Sequence, residues 1–93
     1  MSLFNVKSTP TFERGFKILT KRNHELLIKF VDLLAILTYD PYNISGRHNI
    51  KKLTNVSKGE GQWRIRMGKY RLRYDIINED VVLHSLSHRK EAY

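Results

Sequence analysis

Apolar residues recur with two different periods along the chain, and the change falls near residue 62. Phe12, Phe16 and Leu19 stand at i, i+4 and i+7, one stripe of a helix over residues 10–21. Thr9-Pro10 gives that helix its start: a hydroxyl that can accept from an early backbone N–H, then a proline whose missing donor is harmless in the first turn. Asn23 opens a second helix over 24–39, with Leu26, Leu27, Phe30, Val31, Leu34 and Leu37 as the face expected to be buried. Asp40-Pro41 ends it, because the residue before proline avoids helical geometry. The short break between the helices predicts an antiparallel helical hairpin. Ile28, Leu33 and Ile36 lie off the main line, so the second helix predicts burial on two sides or a partner surface.

Ahead of the helices, residues 3–8 alternate loosely and predict a short strand. Residues 41–61 hold Pro41, Asn43, Gly46, Gly59 and Gly61 with little periodicity, and predict loop. From Gln62 the period is two, which predicts strands at 62–67, 70–77 and 81–88, joined by Gly68-Lys69 and by residues 78–80. Gly-X between alternating runs is the mark of a two-residue type II′ bend. The order βααβββ predicts an α+β fold, two N-terminal helices on one face of an antiparallel sheet, as a single domain over 1–93.

The bend fixes a register. With Gly68 and Lys69 in the loop, Met67 opposes Tyr70, Arg66 opposes Arg71, Ile65 opposes Leu72, Arg64 opposes Arg73 and Trp63 opposes Tyr74. Directly opposed residues share a face, so the aromatic and aliphatic set faces the helices and four arginines crowd the other side. Like charges directly opposite are destabilising by up to about 1 kcal/mol per pair, so this face predicts an anion site rather than a solvated surface. Same-face residues on a strand lie about 6.6 Å apart, near the phosphate spacing of a single strand. Guanidinium forks also suit phosphate oxygens. For the last strand, a three-residue loop puts Arg71 opposite Ser87 and brings Arg89 to the arginine face. A two-residue loop brings His88 there instead, and a bulge could offer both. Lys51, Lys52 and His48 are candidates to flank the same sheet edge.

Composition narrows the partner. Lys and Arg total 17 against 9 Asp and Glu, a formal charge of +8, while 41% hydrophobic residues argue for a folded domain. That charge favours polyanions such as nucleic acid. No cysteine is present, which excludes disulfide scaffolds, thiol catalysis and Cys-ligated metals. His84 and His88 without a nearby carboxylate make a poor metal site, so no metal or cofactor is expected. Lys29 and Asp32 interrupt the apolar run from Leu26 to Leu37, which is too short to span a bilayer, and Met1-Ser2-Leu3-Phe4 does not start a signal peptide. A cytoplasmic protein without a membrane partner is expected.

The run Gln62-Trp63-Arg64-Ile65-Arg66-Met67-Gly68-Lys69-Tyr70-Arg71-Leu72-Arg73-Tyr74, followed by His88-Arg89-Lys90-Glu91-Ala92-Tyr93, resembles the RelE/ParE toxin superfamily, most nearly its RelE branch. The resemblance implies a toxin of a toxin–antitoxin system: a ribosome-dependent endoribonuclease that cuts mRNA in the A site without a metal. It also implies a cognate antitoxin as partner, usually acidic where it wraps the toxin. On this reading Arg64 and Arg66 match the family's basic pair, Arg71 its Tyr-Arg arginine, Arg89 the arginine near the C-terminus and Tyr93 the terminal tyrosine. His88 sits where relatives carry histidine or lysine.

Cleavage by the RNA's own 2′-hydroxyl needs a base, stabilisation of the charge on phosphorus and an acid for the leaving oxygen. Tyr93 is the candidate base and His88 its rival. Arg71 and Arg89 are candidates to stabilise the phosphate, with Arg64, Arg66, Arg73, Lys51 and Lys52 as candidates to hold the RNA. Two alternatives stand beside this reading: a ParE-like poison of DNA gyrase, and a basic RNA-binding module without activity.

Overall fold

Side chains at two helix starts meet the backbone as their types require. In the computed structural model, which describes residues 3–89, Thr9 Oγ1 accepts from Phe12 N at 3.1 Å and Asn23 Oδ1 accepts from Leu26 N at 3.1 Å. The first cap opens α1 (Pro10–Thr20) and the second opens α2 (His24–Tyr39). Five strands accompany them: β1 (Asn5–Ser8), β2 (Ile50–Lys52), β3 (Trp63–Met67), β4 (Tyr70–Ile77) and β5 (Asp80–His88). They form one mixed sheet in the order β1-β5-β4-β3-β2, with β1 parallel to β5 and the remaining pairs antiparallel.

The helices pack on one face of that sheet. Phe12, Leu26, Leu33 and Leu37 meet Ile65, Leu72, Tyr74 and Leu83 in the core. Rings of Phe12, Phe16 and Phe30 clasp the two helices, with centroids 4.5 to 5.8 Å apart. Tyr74 is fully buried, and its hydroxyl donates to Pro41 O at 2.7 Å, tying the end of α2 to the sheet. Burial raises its pKa above the ordinary tyrosine value, with the Asp40 charge adding to the rise, so the ring stays a neutral donor.

Three expectations need correction. The sheet has a strand more than the pattern predicts, because β2 spans only Ile50, Lys51 and Lys52, too few residues to show a period. Its direction is mixed, since alternation reports which side a residue faces and says nothing of how the neighbouring strand runs. On α2, Val31 is 65% exposed while Leu33 is buried, so the buried stripe lies one position round from the expected face. Ile28 is also exposed.

Candidate nucleic-acid interface

The bend at Gly68-Lys69 sets the interface. Gly68 takes a φ of +61° and Lys69 does not cross into positive φ, the pattern of a type II′ bend that only glycine adopts cheaply. Arg66 therefore opposes Arg71 and Arg64 opposes Arg73, as the sequence predicts. Lys51 opposes Arg64 across the β2–β3 edge, and Ser85 opposes Arg73 on the other side. The outer face of the sheet thus carries one row of Lys51, Arg64, Arg73 and Ser85, and a second of Arg66, Arg71 and Ser87.

Both loop lengths weighed for the last strand occur, one in each half of β5. Ile77 pairs with Asp80 and Tyr74 with Leu83, the register of a two-residue turn. A bulge then shifts the pairing so that Arg73 meets Ser85 and Arg71 meets Ser87. The inserted residue is His84. Without the bulge, Leu83 and Leu86 would point to opposite faces. With it both are buried, at 2% and 7% exposure. Their three-residue spacing inside an alternating run was the available signal.

A loop walls one end of this face. Asp75 alternates outward from Tyr74, yet it is 2% exposed because residues 59–62 cover it. Its carboxylate accepts from the backbone N–H groups of Gly59 at 2.9 Å, Gly61 at 2.9 Å and Gln62 at 3.0 Å. Arg73 completes the brace: Nε donates to Gly61 O at 3.0 Å and a terminal nitrogen donates to Glu60 O at 2.7 Å. Sequence reasoning placed Arg73 among the RNA-holding groups and passed over Asp75. The structure gives part of the Arg73 guanidinium to the loop.

The remaining candidates divide. Lys51 joins the arginine face, whereas Lys52, one residue on, turns to the helix side and sits 5.8 Å from the Trp63 ring. His48 lies 3.7 Å from the Asp40 carboxylate and lines a cavity with Arg47 and Arg66. The register sets His88 opposite Tyr70 on the helix side, with ring centroids 5.2 Å apart. Tyr70 in turn accepts from Asn23 Nδ2 at 3.1 Å, so His88 borders the start of α2. Arg89 is exposed; its backbone N–H donates to Lys69 O at 2.8 Å, and alternation puts it on the side of Ser87 and Arg71. Tyr93 lies outside the described residues. Among the described residues, no cluster of three or more His, Asp or Glu could hold a metal ion, and no helix is long and apolar enough to cross a membrane.

A family model described as the ParE toxin of type II toxin–antitoxin systems matches residues 6–93. No curated protein sequence matches the chain. Among solved structures the fold is similar to RelE from Pyrococcus horikoshii in its complex with RelB, with a TM-score of 0.70 at 22% identity over 92% of this chain and 94% of that one. It is also similar to YafQ of the E. coli DinJ–YafQ complex, with a TM-score of 0.74 at 13% identity over 97% and 98%. A third likeness is to YoeB from Staphylococcus aureus, with a TM-score of 0.71 at 18% identity over 91% and 95%.

Proposed function

The chain belongs to the ParE toxin family of type II toxin–antitoxin systems, and within it we propose that this chain is an endoribonuclease cutting mRNA in the ribosomal A site, a reading that its RelE-like runs at 62–74 and 88–93 support over a poison of DNA gyrase. The observation that carries this reading is the outer sheet face, where Arg66 opposes Arg71 and Arg64 opposes Arg73 with Lys51 alongside. Opposed cations weaken a sheet unless an anion joins them. A phosphodiester backbone supplies one at every nucleotide, and guanidinium groups hold its oxygens in pairs.

In the proposed reaction the 2′-oxygen attacks the adjacent phosphorus, its proton passes to a base, and the 5′-oxygen leaves with a proton from an acid. Arg71 and Arg89 stabilise the charge that develops on the phosphate oxygens, while Arg64 and Arg66 hold the flanking backbone. Tyr93 takes the role of base through the terminal His-Arg-Lys-Glu-Ala-Tyr pattern. A free phenol ionises near 10, and a guanidinium group brought beside one favours the phenolate. His88 is the second candidate for proton transfer; since it pairs with Tyr70 on the helix side, that role requires the RNA to reach round the end of the sheet.

An acidic antitoxin is the partner proposed, since a +8 chain with an arginine-lined face attracts one electrostatically. Two of the similar toxins were solved with their antitoxins, RelE with RelB and YafQ with DinJ.

Single-turnover cleavage of message on programmed ribosomes tests the reading. The wild-type chain should cut in the A site, and Tyr93→Phe should slow the cut by ~100-fold or more with binding retained. An unchanged rate removes Tyr93 as the base. Intact message together with topoisomerase-dependent DNA breaks would replace the nuclease by a gyrase poison.

A further inference from the structure

The outer face is chemically divided along a line between β4 and β5. Cations occupy β2, β3 and β4, whereas β5 presents His84, Ser85 and Ser87 and no charged residue between them. The division depends on the bulge, which inserts His84 beside Ser85 without turning Leu83 or Leu86 out of the core. Bulges of this kind re-aim side chains beside functional sites.

The niche around His84 is closely built. A Cβ on Gly61 would lie 3.2 Å from His84 Cγ, 3.1 Å from Arg73 Nε and 3.0 Å from Arg73 Cβ, and Gly61 holds a φ of +76°. The imidazole therefore packs where only glycine leaves it room. Its Nδ1 lies 3.3 Å from Ser85 Oγ. When the hydroxyl donates to Nδ1, the ring proton resides on Nε2, which then acts as a donor.

We propose that His84, Ser85 and Ser87 contact the ribose and base side of a single-stranded RNA whose phosphates lie over the arginines, and that they distinguish RNA from DNA. The inference rests on the nuclease reading and adds a specificity-determining strip to it. Neighbouring strands are about 4.8 Å apart, so β5 lies within one nucleotide's reach of a phosphate at Arg71, while β3 on the other side offers only further guanidinium groups. A 2′-hydroxyl both donates and accepts, which suits a strip of two hydroxyls and an imidazole. Arginines hold the phosphate of either nucleic acid and cannot make this distinction.

Fluorescence anisotropy with the full chain, a single-stranded RNA oligonucleotide and its all-deoxy counterpart tests the proposal. Wild type should bind the RNA more tightly. His84→Ala and the double variant S85A/S87A should each weaken RNA binding by ~3- to 10-fold, the loss of one or two neutral hydrogen bonds. Binding of the deoxy strand should not change. His84→Asn, which keeps a donor, should recover part of the loss, and Arg66→Ala should weaken both strands alike. Equal losses on the two strands, or none on either, would overturn the proposal. A-site cleavage measured alongside separates the two readings. A chain that cuts message but shows no strand-selective loss loses the β5 strip alone, and a chain that does not cut loses the nuclease reading.

Discussion

Asp75 shows how a single carboxylate can shape a surface it does not join. Its two oxygens accept from three backbone N–H groups of the covering loop, and charge-assisted bonds of this kind are worth about 1.5–3 kcal/mol each when one partner is removed. Asp75→Asn keeps the shape but removes the charge from these bonds and sets an amide NH2 against the Gly61 N–H, so it should cost about 2–3 kcal/mol in urea unfolding. It should also release Arg73, whose Nε and terminal nitrogen reach the same loop. Gly61→Ala should be similarly damaging, because a Cβ would clash with Arg73 and the φ of +76° disfavours any side chain. An Asp75→Asn chain with unaltered stability would show that the loop stands without its anchor.

At the scale of elements, the sequence was most legible where a local rule decides the outcome. Thr9 and Asn23 announce helix starts because capping is settled within four residues, and Gly68 fixes the β3–β4 register because the bend leaves one pairing. Asp75 was not legible in the same way, since covering by a distant loop is a tertiary event, and the insertion of His84 showed only in the three-residue spacing of Leu83 and Leu86. The turn after α2 is another such element. Asp40 accepts from Ser45 Oγ at 2.7 Å and from Ile44 N at 2.8 Å, while Asn43 and His48 bond each other reciprocally. The Ser45 hydrogen bond is the main force holding the Asp40 carboxyl below its ordinary pKa, with the Ile44 and Ser45 N–H groups and His48 assisting against desolvation. A lowered folded-state pKa means that the stabilisation is complete above the unfolded value of about 3.9 and fades as pH falls through the folded one. Ser45→Ala should therefore lower stability at pH 7 and flatten its loss below pH 4, read from urea midpoints across that range. An identical acid profile in the variant would assign the acid sensitivity to other carboxylates. Tyr74→Phe leaves Pro41 O without its donor and should cost about 1 kcal/mol.

At the level of the whole molecule, Lys51, Arg64, Arg66, Arg71 and Arg73 share one side of a sheet whose other side is core, and this makes binding and folding separable by salt. Each phosphate neutralised on a single strand contributes about −0.7 to the slope of log K against log salt. Arg66 is exposed and opposes another arginine, so Arg66→Ala should reduce that slope by about 0.7 and leave unfolding nearly unchanged, or slightly improved by relief of the opposed charge. Arg73→Ala makes the contrast. Its Nε and one terminal nitrogen are engaged by the carbonyls of Gly61 and Glu60, so its loss should appear first as lower stability and only partly in the slope. Anisotropy titrations of one RNA oligonucleotide at several salt concentrations, paired with urea unfolding of each variant, give both quantities. If the two arginines changed slope and stability in equal proportion, the face would act as a diffuse cloud of charge, and the division between phosphate-holding and loop-bracing guanidinium groups would fall.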